Sequence, residues 1–251
     1  MHTEDGIVTP DKVTTIRHVD INRGIEWIAA GFNLFMKKPG ELIIAGLVLF
    51  IVTFILQKIP LVGSGLATML GVLATGALML FCRACEDGQD VLAAAQKAAN
   101  ITPLWMLALI AAGMGVAIAF LGSVLGAAVL VSVFASPLLA MALGAISLLL
   151  MMLLSIPVVM ALWLAPALVV LKGTAPVDAI RLSFAAAVKN FPAFIIFYVL
   201  SWVATFVGSL PLGIGLIFVY PVVLCATYMA YKEIFATAGN GEAVGFMRDA
   251  P

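Results

Sequence analysis

This sequence predicts an all-α membrane protein: six transmembrane helices in three parallel two-span repeats, each preceded by an amphipathic helix on the cytoplasmic face. Three observations carry the expectation. Charge is scarce: of 251 residues, 64% are apolar and 10% charged, against about 25% charged in a soluble domain, so the chain cannot coat a water-facing surface. The charge is also bunched. Residues 42–57, 59–82, 98–171 and 190–231 hold no Asp, Glu, Lys or Arg, together 156 residues, where one spanning helix needs about 20. The third observation is a layout that recurs three times along the chain. These figures exclude a soluble enzyme and a disulfide-stapled secreted domain. The formal net charge is zero and there is no polybasic surface for DNA or RNA.

Residues 1–20 are polar and lack the apolar run of a secretory signal, so the first span is expected to drive insertion and leave a cytoplasmic tail. Residues 21–235 read as one six-span domain and 236–251 as a second cytoplasmic tail. The first repeat, about 21–86, opens with Ile21, Ile25, Ile28, Phe32 and Phe35, an apolar stripe at helical period. Lys37, Lys38 and Pro39 follow, and proline suits the first turn of the next helix because its missing N–H has no partner there. A hairpin turning at Pro60 returns to Arg83. The second repeat, 87–172, begins with a weaker alanine-rich helix over 91–99, passes Lys97 and Pro103, turns at Pro137 and closes at Lys172. The third, 176–233, opens with Val177, Ile180, Phe184, Ala187 and Phe191, passes Lys189 and Pro192, turns at Pro211 and closes at Lys232.

The middle hairpin is oversized. Pro103 and Pro137 are 34 residues apart, against 21 from Pro39 to Pro60 and 19 from Pro192 to Pro211. The excess in each arm is about 20 Å of helix. Being apolar, it is expected to tilt, re-enter or pack against another subunit, with Pro157 and Pro166 as candidate kinks. Twelve of the 13 basic residues lie in the tails and between repeats, and only Lys58 lies in a hairpin turn. The positive-inside rule then puts both termini in the cytoplasm, and the repeats run parallel about an axis along the membrane normal. Mitochondrial carriers share this outline, but their proline–acid–basic signature is absent: Pro39-Gly40-Glu41 has no basic residue after it.

Motifs that carry chemistry elsewhere are weak here. Cys82 and Cys85 form a CxxC without a second pair, and both histidines, His2 and His18, lie in the polar tail. Buried packing is therefore expected rather than a redox pair or half a zinc site. Gly122 and Gly126 make a GxxxG in an apolar run, a candidate for helix packing or oligomer contact. Trp27, Trp105, Trp163 and Trp202 are expected mostly as interfacial anchors. No ionisable side chain falls within a span, whereas ion-coupled transporters keep such groups at depth. Hydroxyls such as Thr53, Thr75, Ser155 and Thr205 are expected to bond their own helices. Arg23, Lys37, Lys38, Arg181 and Lys189, beside the apolar stripes, are candidate contacts for anionic lipid head groups.

The segments GIEWIAAGFNLFMKKPG, LWLAPALVVLKGTAPVDAIRLSFAAAVKNFPAF and LPLGIGLIFVYPVVLCATYMAYKEIF resemble a family of uncharacterised proteobacterial inner-membrane proteins. That family is distantly similar to YciC-like proteins and to the membrane domain of some glycerophosphodiester phosphodiesterases. The resemblance runs from about Arg23 to Phe235, most specifically at residues 165–168 and 231–235. It implies a fold and an inner-membrane address but no activity and no functional residue. The expected role is a non-enzymatic membrane protein without cofactor or metal, binding lipid or a membrane partner as an oligomer. The alternative is a transporter or channel for an uncharged or amphipathic solute.

Overall fold

Proline opens most of the helices. In the computed structural model, which describes residues 15–59, 63–87, 101–210 and 213–235, the order is α1 (Arg23–Phe35), α2 (Pro39–Leu56), α3 (Gly63–Asp87), α4 (Thr102–Ala135), α5 (Pro137–Trp163), α6 (Ala165–Lys172), α7 (Pro176–Lys189), α8 (Phe191–Ser209) and α9 (Leu216–Ile234). Pro39, Pro103, Pro137, Pro166, Pro176 and Pro192 each hold the first or second position of a helix, where they cost no backbone hydrogen bond. The expected alanine-rich helix over 91–99 with Lys97, the turn residues Pro60 and Pro211, and most of both tails lie outside the described residues.

Six helices are long and apolar enough to cross a membrane: α2, Gly65–Asp87 of α3, α4, Pro137–Lys172, α8 and α9. The oversized middle hairpin is therefore two long apolar arms, each long enough to span, and not four short ones. Its arms are very long, with 34 residues in α4 and 36 in Pro137–Lys172.

The apolar stripes marked in the sequence pack only in part: Phe35 of α1 and Ala187 of α7 are buried, and Ile28 and Ile180 pack against the core. On α1, Ile21, Ile25 and Phe32 are half exposed, whereas Gly24, Trp27, Gly31 and Leu34 are buried. On α7, Val177, Phe184 and neighbouring Phe191 are exposed, whereas Ala179, Leu182, Ser183 and Ala186 are buried. Small residues decide which face packs because they let backbones approach. A Cβ on Gly31 would stand 2.4 Å from the Ala226 backbone nitrogen of α9, and one on Gly24 would stand 2.5 Å from the Ala193 carbonyl oxygen of α8. Both amphipathic helices thus carry a close-packed face set by small residues, beside which Ile25 and Phe32 of α1 and Val177 and Phe184 of α7 stay exposed.

The break between α5 and α6 is held open by a side chain of α7. Pro166 has no N–H, and the ladder fails at Leu164. The Leu164 N–H donates to Ser183 Oγ at 2.9 Å, and the Ser183 hydroxyl donates to the Met160 carbonyl at 2.9 Å. Those two backbone groups are i and i−4 partners, so the hydroxyl stands where one rung of the helix would close. Pro157, the other candidate kink, stays inside α5.

Trp27 and Trp163 are core residues, not interfacial anchors. They sit 5.9 Å apart, and Trp163 meets Phe194 edge-on at 5.0 Å and Phe197 at 5.6 Å, geometries that suit aromatic rings. Trp105 and Trp202 are exposed, Trp202 to 76%.

Replacing Ser183 by Ala leaves the Leu164 N–H and the Met160 carbonyl unpaired in a buried site. The expected loss is about 1–3 kcal/mol, read as a lower melting temperature in detergent. A variant melting with the parent would show that packing alone keeps the break.

Candidate functional site

Charged groups gather at one end of the bundle. Glu86 lies at the C-terminal end of α3 and Glu233 at that of α9, where the helix dipole disfavours an anion, so each carboxylate needs cationic or donor partners. Glu233 accepts from Arg23 Nε at 2.6 Å and from Trp27 Nε1 at 2.7 Å, and Arg23 also pairs with Glu26. Glu86 accepts from Lys232 Nζ at 2.6 Å and from the Tyr228 hydroxyl at 2.9 Å. One carboxylate locks α1 to α9, the other α3 to α9.

The segment before α1 is stitched across the same end. Asn190, fully buried between α7 and α8, accepts from the Val19 N–H at 2.8 Å and donates to the Arg17 carbonyl at 3.0 Å. Lys189 Nζ donates to the Ile16 carbonyl at 2.7 Å, and the Arg17 N–H donates to the Ile234 carbonyl at 2.9 Å. Lys172 Nζ reaches the Phe235 carbonyl at 3.2 Å.

These ties sort the five candidate head-group contacts. Arg23 and Lys189 are engaged within the fold. Lys37 is exposed at the end of α1. Lys38 stands 3.6 Å from Glu41 and Arg181 3.8 Å from Asp178, loose surface pairs of small energetic value; the Arg181 side chain is 69% exposed. The two glycine candidates also part ways. A Cβ on Gly122 would meet Met151 Sδ of α5 at 3.2 Å, whereas one on Gly126 would meet nothing within 4 Å. Cys82 and Cys85 are both buried, but the nearest thiol recorded for Cys82 lies across the α3–α9 seam: Cys225 Sγ, at 3.5 Å. Among the described residues no group of three or more His, Cys, Asp or Glu could hold a metal ion.

Toward the other end, α2, α3 and α9 part around a cavity of about 570 Å³, with Thr205 of α8 at its edge. Leu49, Phe50 and Phe54 of α2 face Leu216, Val219 and Val223 of α9 across it, and Ala67 and Gly71 form the α3 wall. Its polar side chains are Thr53, Gln57, Thr205 and Tyr220. Thr205 donates to the carbonyl of Ser201 in its own helix at 2.7 Å, as do Thr75 to Gly71 at 2.8 Å and Ser155 to Met151 at 2.7 Å. Deeper in, a Cβ on Gly46 would stand 3.0 Å from the Pro221 ring, so α2 and α9 close together there.

Comparison with protein-family models, curated proteins and solved structures finds no match to this chain.

Glu86, Tyr228, Asn190 and Glu233 escape sequence reasoning that looks for catalytic groups. One signal was present: acids in the last turn of apolar helices lie at the wrong end of the dipole and call for partners. Truncating Glu233 to Ala strands the Arg23 charge and the Trp27 N–H. The expected loss is about 2 kcal/mol, below the range for a fully buried pair because both side chains keep some solvent contact. Glu233→Gln, which keeps one acceptor, is expected to recover part of it. Equal melting of Glu233→Ala and the parent would show that the pair contributes nothing.

Proposed function

We propose that this chain is a non-enzymatic integral protein of a bacterial inner membrane that binds lipid or a membrane partner as an oligomer, with both termini cytoplasmic. The observation that carries the reading is the α4–α5 hairpin. Among the described residues of α4, burial is confined to Leu104, Leu107, Ala108 and Ala111 near its start and Ser132 near its end. At the tip, Val131, Phe134, Leu138 and Met141 are 71% to 94% exposed. With 34 residues, α4 is about 51 Å long, and even at a tilt of about 40° it rises about 39 Å, against a hydrocarbon core of about 30 Å. An apolar tip that overshoots the core is stabilised by a second copy or a partner that covers it.

The positive charges of α1, α7 and α9 at one end support a cytoplasmic assignment for that end. Two amphipathic helices that leave Ile25, Phe32, Val177 and Phe184 exposed, with Arg181 exposed and Lys38 part-exposed beside them, support contact with anionic lipid there. The order helix–span–span in α1–α2–α3 and again in α7–α8–α9 supports the repeat, and with it membership of the uncharacterised inner-membrane family that the sequence resembles. The second reading, a transporter or channel for an uncharged or amphipathic solute, draws on the cavity. Its mainly apolar walls, with the Thr205 hydroxyl bonded to its own helix, fit a lipid-like occupant better than a hydrated path.

Native mass spectrometry of the full chain tests the proposal, since it reports copy number and retained lipid together. Deleting residues 122–150 is expected to reduce the assembly to fewer copies. If the shortened protein keeps the parental copy number and melting temperature, the hairpin is not an assembly surface.

A further inference from the structure

We propose that the cavity between α2, α3 and α9 seats one acyl chain of an anionic phospholipid whose phosphate is held by Lys58 at the mouth. The inference extends the lipid-binding reading to a single site at the end of the bundle opposite the charged cluster, and it uses no residue of the α4–α5 hairpin.

Three observations name the occupant. Apart from Thr53, Gln57, Thr205 and Tyr220 the walls are apolar, and the volume, about 570 Å³, lies within the range of ligand sites, about 300–1,000 Å³. A cavity so lined favours hydrocarbon over water, and in a spanning bundle the surrounding medium supplies hydrocarbon. Depth is the second. Along α2 the lining runs from Gln57 at the helix end to Gly46, about 16 Å at 1.5 Å per residue. Half of a hydrocarbon core of about 30 Å is about 15 Å, so the cavity is as deep as one leaflet is thick. Below that depth the approach of Gly46 to Pro221 closes it.

Charge is the third. Lys58 follows Gln57 directly, and its Nζ lies 4.7 Å from the centre of the Phe54 ring, part of the cavity wall. Its stem thus runs along the rim with the ammonium at the mouth. Among the described residues, every other charged side chain belongs to the segments gathered at the opposite end. No carboxylate among the described residues stands on this side to neutralise Lys58, and a lipid phosphate supplies the missing anion. One cation above a chain-deep apolar slot matches a phosphate above an acyl chain.

The test uses the full chain in detergent, titrated with dioleoyl phosphatidylglycerol or dioleoyl phosphatidylethanolamine and read by native mass spectrometry. One tightly retained phosphatidylglycerol per chain is expected, bound about fivefold more strongly than phosphatidylethanolamine, the preference one surface lysine provides. Lys58→Gln is expected to abolish that preference while the neutral-headed lipid still binds. Gly71→Leu points a side chain into the slot from a position where a Cβ meets nothing within 4 Å. It is expected to weaken both lipids at least tenfold at an unchanged melting temperature. Ala67→Leu, one turn away on the same wall, decides the matter if Gly71→Leu alters folding. Lipid retained at parental strength by a normally folded cavity variant would overturn the seat, and an unchanged lipid preference in Lys58→Gln would overturn the head-group assignment. Because these variants leave residues 122–150 intact, loss of lipid without loss of copy number separates this site from the assembly proposal.

Discussion

The carboxylate of Glu233 is the point from which the packed end of the molecule is organised. It sits in the last turn of α9, where the helix dipole opposes it, and its requirement for donors draws in Arg23 and Trp27 at 2.6 and 2.7 Å. Holding Trp27 by its N–H fixes α1 on α9, and the indole body then meets Trp163 and Phe197. Trp163 is the last residue of α5, so the aromatic cluster abuts the break at Leu164 that Ser183 props open. One ion pair is thereby linked, through rings and a hydroxyl, to the position of α7 and the path of α6. The second carboxylate, Glu86, repeats the device between α3 and α9.

The two ends of the bundle consequently differ in kind. At the charged end, buried polar groups are matched by partners, with the Trp163 N–H an exception, and interhelical contacts are close enough to require glycine. At the other end no ion pair is made among the described residues, and the ties are fewer: a Tyr220–Thr75 hydrogen bond between α9 and α3, and the close approach of Gly208 and Gly215. There α2, α3 and α9 separate around the cavity, and α4 and α5 run on as a hairpin backed mainly by each other. A bundle tied at one end has a rigid base and a surface at the other end open to occupants, the arrangement expected when binding surfaces are carried on a stable scaffold.

Much of the architecture was legible in the residue order. Charge-free stretches marked all six spanning helices, the prolines marked helix starts, and the spacing of Pro103 and Pro137 announced the long arms. Burial of the CxxC was expected from its lack of companions and both thiols are buried, although the closest recorded partner of Cys82, Cys225, lies 143 positions away and no local pattern points to it. The ties made by Asn190 and Ser183 were hidden for the same reason. A single buried amide or hydroxyl has no periodicity, and its partners are backbone atoms distant in sequence.

Composition alone settled which segments leave water, because transfer from water depends on apolar area and hardly on neighbours. It could not settle which face of each helix meets protein. Within hydrocarbon a leucine gains little by choosing a helix over a lipid tail, so apolarity alone did not decide the stripes of α1 and α7: Phe35 and Ala187 are buried, whereas Ile25, Phe32, Val177 and Phe184 are exposed. Steric fit made that choice: Gly24 and Gly31 admit the α8 and α9 backbones, and Ala179, Ser183 and Ala186 form the corresponding packed face of α7. Close approach depends on the shape of both partners at once, which exists only when the helices are assembled.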